Sequence, residues 1–170
     1  DVCDPDCSKC SFVRPIPHVY ENACDAECNV CHAVRTITHK YSHEADKTCD
    51  ICGTERVITG QHLIGEKDGI YYYLDGEKQN ITELVKIDGV WYYINNGVWD
   101  KTAKTLHKLN GKWFFVENGT WSARTTIVEY KEKMFYVYAG KWNADVTDLK
   151  KVDGKWYYIQ YGKWNQEIDT

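Results

Sequence analysis

The sequence predicts a mainly β protein built as a tandem repeat array, in which metal-stapled cysteine repeats are followed by a β-hairpin solenoid. Two observations carry this prediction. Cysteine pairs recur every 21 residues in the first third of the chain, and an aromatic run followed by glycine recurs at a similar period in the rest. Fixed periods of this length are typical of repeat architectures. We therefore expect three cysteine repeats in residues 1–56 and five aromatic hairpin repeats in residues 57–170.

Composition and charge exclude some function classes. The chain has 170 residues and a net charge of −4, with acidic and basic residues well mixed. Because no basic stripe is present, nucleic acid is not an expected partner. No apolar run approaches the roughly 18 residues that a membrane helix needs, so membrane insertion is not expected either.

The cysteine repeat is clearest in residues 24–41, CDAECNVCHAVRTITHKY. A Cys-x2-Cys turn can hold two sulfurs about 3.7 Å apart around a zinc ion, and a third Cys with one His completes a tetrahedron. The first two repeats contain such a set. The third has Ala45 and Gly60 in place of a Cys and a His, but His43 and His62 lie nearby. The predicted Zn²⁺ ligands are Cys3, Cys7, Cys10 and His18; Cys24, Cys28, Cys31 and His39; and His43, Cys49, Cys52 and His62.

Other uses of the eight cysteines stay open. Disulfides are the main alternative, since the number is even and an extracellular segment would be oxidised. They are less favoured because three cysteines cannot pair within one repeat. A second metal register, joining Cys7, Cys10, His18 and Cys24, also fits the spacing. A redox role is disfavoured because such Cys-x2-Cys pairs usually act singly on a larger scaffold.

Each cysteine repeat has too few apolar residues to offset its chain entropy, so metal binding would supply folding free energy. The alternation in residues 34–39 predicts a short strand after the Cys cluster. The Arg that follows each cluster is expected to be a charge on the strand surface. The alternative is a hydrogen bond to a carbonyl or to an Asp of the next repeat, such as Asp25 for Arg14.

Each aromatic repeat is predicted to be a hairpin followed by a second tight turn. In residues 87–99, IDGVWYYINNGVW, the first turn falls at Asp88-Gly89 and the aromatic run is the return strand. Asp-Gly and Asn-Gly favour such turns because both positions tolerate positive φ. A single hairpin is marginal in water, so stacked hairpins must share a core. The fourth repeat has Lys131-Glu132 at this turn and is expected to be the loosest.

The aromatic residues serve either as core or as binding platforms. Cations are attracted to Trp and Tyr faces by about 0.5–2 kcal/mol, and sugar rings stack on the same faces. We expect the first Trp and last Tyr of each run in the core, while the trailing Trp is equally suited to a ligand. The candidate ligand-binding residues are Trp91, Tyr93, Trp99, Trp113, Trp121, Trp142, Trp156 and Trp164.

These aromatic repeats, over residues 57–165, resemble the choline-binding and cell-wall-binding repeats of Gram-positive surface proteins, and are similar to the carbohydrate-binding repeats of large clostridial toxins. The resemblance implies a hairpin solenoid. It also implies a choline cage that includes a Trp upstream of the run, but this sequence has Leu84-Val85 or Leu106 there. The cysteine repeats resemble CDxxCxxC…R…H repeats of surface proteins in gut Firmicutes.

The sequence contains no recurring catalytic constellation, and zinc sites with four protein ligands leave no open position for chemistry. We therefore expect a secreted, non-catalytic module on the bacterial cell surface that binds a polymer, either cell wall or glycan. One alternative is a structural spacer of a larger surface protein with no ligand of its own. Another is a protein–protein adaptor that uses its sheet edges.

Overall fold

The computed structural model describes residues 18–168, and the chain divides into two compact units, one ending at Thr59 and the other beginning at Gly60. All regular strands of the described residues lie in the second unit, and none of these residues is helical. Within residues 18–168 there is accordingly no helix of the length and apolarity needed to cross a membrane. The predicted mainly β repeat array is confirmed.

The second unit consists of five copies of a three-strand repeat. In each copy two strands form a hairpin, and a two-residue strand follows the second turn. The first copy turns one residue earlier than its Asp-Gly predicts, since Glu66 pairs with Gly69. The strands are β1 Gln61–Glu66, β2 Gly69–Leu74, β3 Glu77–Lys78, β4 Glu83–Ile87, β5 Val90–Asn95, β6 Val98–Trp99, β7 Lys104–Leu109, β8 Lys112–Glu117, β9 Thr120–Trp121, β10 Thr126–Tyr130, β11 Lys133–Tyr138, β12 Lys141–Trp142, β13 Asp148–Val152, β14 Lys155–Gln160 and β15 Lys163–Trp164.

In the second, third and fifth copies the hairpin turns adopt the backbone that Asp-Gly and Asn-Gly favour. Asp88 and Gly89 both have positive φ, 48° and 85°, as a type I′ turn requires. The fourth copy reaches the same region without Asn or Gly, with φ of 49° at Lys131 and 61° at Glu132. Its strands β10 and β11 still pair along the whole length of β10. Because left-handed backbone costs a residue other than glycine about 1–2 kcal/mol, this turn carries strain.

The copies are joined through their short strands. From the second copy on, each short strand pairs with the return strand of its own copy and with that of the preceding copy, and the result is a 15-stranded sheet. The core is shared in the same way, because Leu106 and Phe115 of the third copy pack against Val128 and Val137 of the fourth. No copy therefore completes its own core, which is the arrangement of a solenoid.

The glycine of the second turn is required by close packing as well as by its backbone. Gly119 has a φ of 71°, and a Cβ added there would overlap the carbonyl oxygen of Asp100 and lie 2.7 Å from Nε1 of Trp99. Gly140 and Gly162 have the same crowding in the next two copies. By contrast Gly111, in the first turn of its copy, has a φ of 79° and open space around the same position.

In the first unit, the described residues form two loops with matching hydrogen bonds 21 residues apart. The N–H of His32 donates to the carbonyl of Cys28, and that of Gly53 donates to the carbonyl of Cys49, both at 3.0 Å. The predicted short strand after each loop is a single antiparallel bridge, because the segment pairs only with the start of its own loop. The bridges join Glu27 with Val34 and Thr48 with Glu55.

The repeated Arg is a structural residue, which corrects the expectation of a surface charge. The guanidinium of Arg35 lies 3.6 Å from the ring centroid of Tyr20 and donates to the carbonyls of Asp25 and Asn22, at 2.9 and 2.7 Å. These carbonyls belong to the loop before the Arg and not to the next repeat. Arg56 repeats the pattern 21 residues later, so each Arg ties its own loop to the Tyr that ends the preceding repeat. Arg14 lies outside the described residues.

Candidate functional site

Two aromatic pockets open between successive hairpins, with volumes of about 210 and 300 Å³. Each combines a Leu and a Trp from one copy, an apolar residue, an aromatic residue and the trailing Trp from the next, and a Lys from the copy after that. The upstream pocket is lined by Leu84, Trp91, Leu109, Phe114, Trp121 and Lys141. The downstream pocket is lined by the equivalent residues Leu106, Trp113, Tyr130, Phe135, Trp142 and Lys163, together with Lys131 and Lys133.

The walls of the downstream pocket are aromatic rings in edge-to-face contact. The ring centroid of Trp113 lies 5.4 Å from that of Tyr130 and 6.1 Å from that of Trp142. The rings of Phe135 and Trp142 are 5.4 Å apart and nearly perpendicular. Such contacts fix ring orientation beyond what burial alone does. The pocket is therefore formed before any ligand arrives.

Lysines lie beside the aromatic faces of both pockets. The Nζ of Lys141 is 5.9 Å from the ring centroid of Phe114, and that of Lys163 is 5.7 Å from the centroid of Phe135. Both distances are within the range of about 6 Å in which a cation is attracted to a ring. A cationic ligand that enters these pockets meets like charge, whereas an anionic group meets a partner.

The trailing Trp of a copy also holds its neighbour in place. Its indole N–H donates to the carbonyl of the second-turn glycine in the next copy, with N–O distances of 2.8 to 3.2 Å. One edge of each ring is thus hydrogen-bonded to the next copy, while its face remains a cavity wall. These donor–acceptor pairs are Trp99 with Gly119, Trp121 with Gly140, and Trp142 with Gly162.

The other predicted ligand residues fall elsewhere. Tyr93 packs into the core between copies, beside His107. Trp99 and Trp164 line separate cavities of about 440 and 470 Å³. Trp156 is 61% exposed, although the first Trp of each run was expected in the core. The reason is that the residues covering Trp113 come from the following copy, and the fifth aromatic repeat is the last one in this sequence.

Sequence reasoning missed the second ring and the lysine of each pocket. Phe114 and Phe135 occupy the middle of the aromatic run, a position that was not assigned to a ligand. A signal for the lysines was present, since Lys141 and Lys163 stand in the same Gly-Lys-Trp sequence of two successive copies.

Two groups of Cys and His side chains bring their donor atoms within 4.8 Å of one another, close enough to hold a metal ion each. In the group of Cys24, His39, Cys49 and Cys52, the Sγ atoms of Cys24 and Cys49 are 3.6 Å apart. The Sγ of Cys52 lies 3.3 Å from Nδ1 of His39. Ligands around a zinc ion are expected about 3.5–3.7 Å apart from the zinc bond lengths, whereas a disulfide needs about 2.05 Å.

The second group contains His18, Cys28 and Cys31, with the Sγ of Cys31 3.3 Å from Nδ1 of His18. Burial raises the pKa of the Cys28 thiol, but backbone N–H groups, including that of Val19 at 3.3 Å, outweigh this effect and lower the pKa to about 5. The loop therefore favours a thiolate at Cys28, the form that binds metals.

The pKa values of Cys49 and Cys24 shift in opposite directions within their shared group. Burial raises the pKa of Cys49, but N–H groups of its own loop and His39 lower it to about 6. Burial, and then the neighbouring thiols of Cys52 and Cys49, raise the pKa of Cys24 to about 12. A cation among these sulfurs would remove the obstacle to ionising Cys24, because a coordinating thiol is deprotonated outright.

Among the described residues, the donor atoms of the second predicted set do not come together. Cys24 and His39 lie with Cys49 and Cys52 of the following repeat, not with Cys28 and Cys31. The eight residues from Cys31 to His39 permit this separation, since a chain of that length can reach about 26 Å.

The other predicted groupings involve residues that the structure places apart or does not describe. His43 and His62 lie in neither group. The alternative register joins His18 to Cys24, whereas these two residues fall in different groups of the described residues. Its other members, Cys7 and Cys10, lie outside the described residues, as does Cys3.

Comparison with known proteins bears on the aromatic repeats. The family model of the putative cell wall binding repeat matches residues 82–97 and 147–161, which contain the hairpins of the second and fifth copies. The resemblance to cell-wall-binding repeats is confirmed. Both matches lie outside the cysteine repeats. No curated protein matches the sequence.

The comparison with solved structures finds three proteins among its matches. One is the modular Cpl-1 endolysin in complex with a peptidoglycan analogue (23% identity, 66% of this chain and 31% of that chain, TM-score 0.37). Another is CbpJ from Streptococcus pneumoniae TIGR4 (20% identity, 63% of this chain and 38% of that chain, TM-score 0.33). A third is choline binding protein F from Streptococcus pneumoniae in the presence of a peptidoglycan analogue (16% identity, 92% of this chain and 59% of that chain, TM-score 0.30). This chain spans less than two thirds of the length of each.

Proposed function

We propose that this chain is a non-catalytic module of a cell-surface protein, and that it binds a bacterial cell-wall polymer in the aromatic pockets between its hairpins. The observation that carries the proposal is the pair of pockets with the same composition one repeat apart. A polymer presents the same chemical group at intervals, so repeated pockets along one solenoid suit it. The match of two copies to a cell wall binding repeat supports the same conclusion.

The lysines favour a sugar polymer with acidic groups over choline alone. Sugar rings stack on the faces of Trp113 and Phe135, and carboxylate or phosphate groups pair with Lys163 and its neighbours. A quaternary ammonium would compete with ammonium groups that already lie over these rings, such as Nζ of Lys163 at 5.7 Å from Phe135. Attachment to such a polymer places the chain outside the cell, on the bacterial surface.

We further propose that Zn²⁺ stabilises the cysteine repeats. Three thiolates with one imidazole form a common structural zinc site, and such a site is closed to substrate. The binding free energy of the ion then becomes folding free energy for repeats that have little apolar core. The Sγ–Sγ distance of 3.6 Å between Cys24 and Cys49 supports shared coordination in preference to a disulfide.

A second candidate function is that of a structural spacer. The indole hydrogen bonds of Trp99, Trp121 and Trp142 favour it, because they give the trailing Trp residues a purpose in the fold that needs no ligand. The spacer and the binding module differ in one measurable respect, namely whether substitutions at the pocket mouths change wall binding without changing stability.

The test is co-sedimentation of the intact chain with purified Gram-positive cell walls. We expect saturable sedimentation of the chain that soluble wall polymer competes away and that choline at the same concentration competes less well. The double variant Lys141→Glu, Lys163→Glu should lose at least tenfold in apparent affinity, because both pockets then repel acidic groups. Its melting temperature should be unchanged within a few degrees.

The matched control is Lys112→Glu, Lys155→Glu. It makes the same change in net charge at exposed lysines that line neither pocket, and it should sediment like the unsubstituted chain. Equal losses of affinity in both double variants would mean that the net charge of the chain, and not the pocket lysines, determines wall binding. Failure of the unsubstituted, folded chain to sediment would favour the spacer.

A further inference from the structure

Each candidate metal group takes its donors from two consecutive cysteine repeats, and both groups follow one rule. In one group, Cys24 and His39 come from the second repeat, while Cys49 and Cys52 come from the third. In the other, His18 comes from the first repeat, while the cysteine pair comes from the second. In both groups one repeat thus supplies its His and the next supplies its Cys-x2-Cys pair, and in the first group the earlier repeat also supplies its first Cys, Cys24.

We propose that metal ions join the cysteine repeats to one another, so that the chain holds two ions and each lies between two neighbouring repeats. The proposal rests on the metal-binding function stated above and assigns its register. One ion is bound by Cys24, His39, Cys49 and Cys52. The other is bound by His18, Cys28 and Cys31.

The distances repeat as well as the residue types. The Sγ of the last Cys and Nδ1 of the His are 3.3 Å apart in both groups, at Cys52 with His39 and at Cys31 with His18. Two groups that share a Cys-x2-Cys pair, a His at the same spacing and the same Cys–His distance are two copies of one built site. Each Arg adds a second link between repeats, since Arg56 stacks on Tyr41 of the preceding repeat while bonding its own loop.

The degenerate third repeat supports this register independently. Ala45 stands where the first Cys would be, and Gly60 where the His would be. Under the proposed rule those two ligands would serve only a following Cys-x2-Cys pair. The positions 21 residues after Cys49 and Cys52 are Ile70 and Tyr73, in the hairpin unit. The sequence therefore loses a Cys and a His together, at the one junction where they would have nothing to bind.

The register makes a prediction about Cys7 and Cys10 that differs from sites closed within repeats. These two cysteines correspond to Cys28 and Cys31 in the repeat. The proposed register does not need them as ligands. Sites within repeats would use all eight cysteines and hold a third ion at Cys49 and Cys52.

The experiment is metal analysis of the intact chain, purified under reducing conditions and loaded with Zn²⁺ or with Co²⁺ as a spectroscopic probe. We expect two ions per chain, in agreement with the two groups. The variants Cys24→Ser and Cys28→Ser should each lose one ion, and the double variant should lose both. The control Cys7→Ser, Cys10→Ser should keep both ions and the Co²⁺–thiolate absorption.

Each other result has a defined meaning. If the Cys24→Ser, Cys28→Ser double variant loses no more metal than either single variant, both residues share one site and the register is wrong. If the control loses an ion, the register is wrong as well. If the unsubstituted chain binds neither Zn²⁺ nor Co²⁺, the proposed metal function itself fails. Tryptophan fluorescence reports the hairpin unit separately, because the cysteine repeats contain no Trp, and it verifies that the hairpin unit of each variant is folded.

Discussion

Replacing Gly119 with alanine tests how the hairpin copies are held together. The carbonyl of Gly119 accepts hydrogen bonds from the backbone N–H of Tyr93 at 2.8 Å and from the indole of Trp99 at 2.9 Å. An alanine Cβ would overlap the carbonyl oxygen of Asp100. Gly111 is a matched control, because its φ of 79° is close to the 71° of Gly119 but its surroundings are open.

The expected magnitudes follow from these two environments. Left-handed backbone costs either alanine about 1–2 kcal/mol, offset in part by about 0.4–1 kcal/mol from the stiffer unfolded chain. The variant Gly111→Ala should therefore lose about 1 kcal/mol in its free energy of unfolding. The variant Gly119→Ala should lose about 2–4 kcal/mol more, from overpacking of about 1–3 kcal/mol and weakened hydrogen bonds of about 0.5–1.5 kcal/mol each.

Urea unfolding followed by Trp fluorescence and far-UV circular dichroism measures the difference. With a slope of about 2 kcal/mol per molar urea, the middle of the usual range, the midpoint of Gly119→Ala should lie about 1–2 M below that of Gly111→Ala. The same midpoint for both variants would refute the reasoning, since backbone conformation alone would then account for the glycine. A lower midpoint for Gly111→Ala would refute it more strongly.

Three further changes have defined outcomes. The double change Lys131→Asn, Glu132→Gly should raise the free energy of unfolding by about 1 kcal/mol, and the urea midpoint with it, because Asn and Gly tolerate the left-handed backbone of this turn better. A lower midpoint would show that this turn is not strained. The variant Trp142→Phe should lose about 0.5–1.5 kcal/mol in its free energy of unfolding, measured by thermal unfolding, because a ring remains but the indole hydrogen bond to Gly162 is lost. An unchanged free energy would show that this bond does not stabilise the fold. The variant Arg56→Lys should speed limited proteolysis of the cysteine repeats several-fold, because an ammonium cannot replace the forked contacts to three carbonyls. An unchanged rate would mean that this Arg is only a surface charge.

The hairpins were predictable because their signals are local. Asp88-Gly89 sets the turn, and the alternation on either side of it sets which residues face the core, so strands β4 and β5 follow from a dozen residues. Lys131-Glu132 shows the opposite case. The shared sheet imposes the turn there against the preference of its own residues.

The pockets and the metal register were harder to predict because both arise between repeats. In a periodic sequence, ligands grouped within one repeat and ligands grouped across two repeats recur with the same period, so the period does not distinguish the two arrangements. Only a break in the period distinguishes them, and the joint loss at Ala45 and Gly60 is such a break. The pocket lysines were missed for a related reason, since Lys141 meets Phe114 only after two copies have stacked.

The measurement that tests polymer binding most directly is the intrinsic fluorescence of the seven Trp residues, titrated with solubilised cell-wall polymer. We expect a saturable change in emission that survives in Trp156→Phe, whose ring is exposed and lines neither of the repeated pockets. The change should be lost in Lys141→Glu, Lys163→Glu. A flat response from folded protein, or an equal response in that double variant, would contradict binding in the pockets between hairpins.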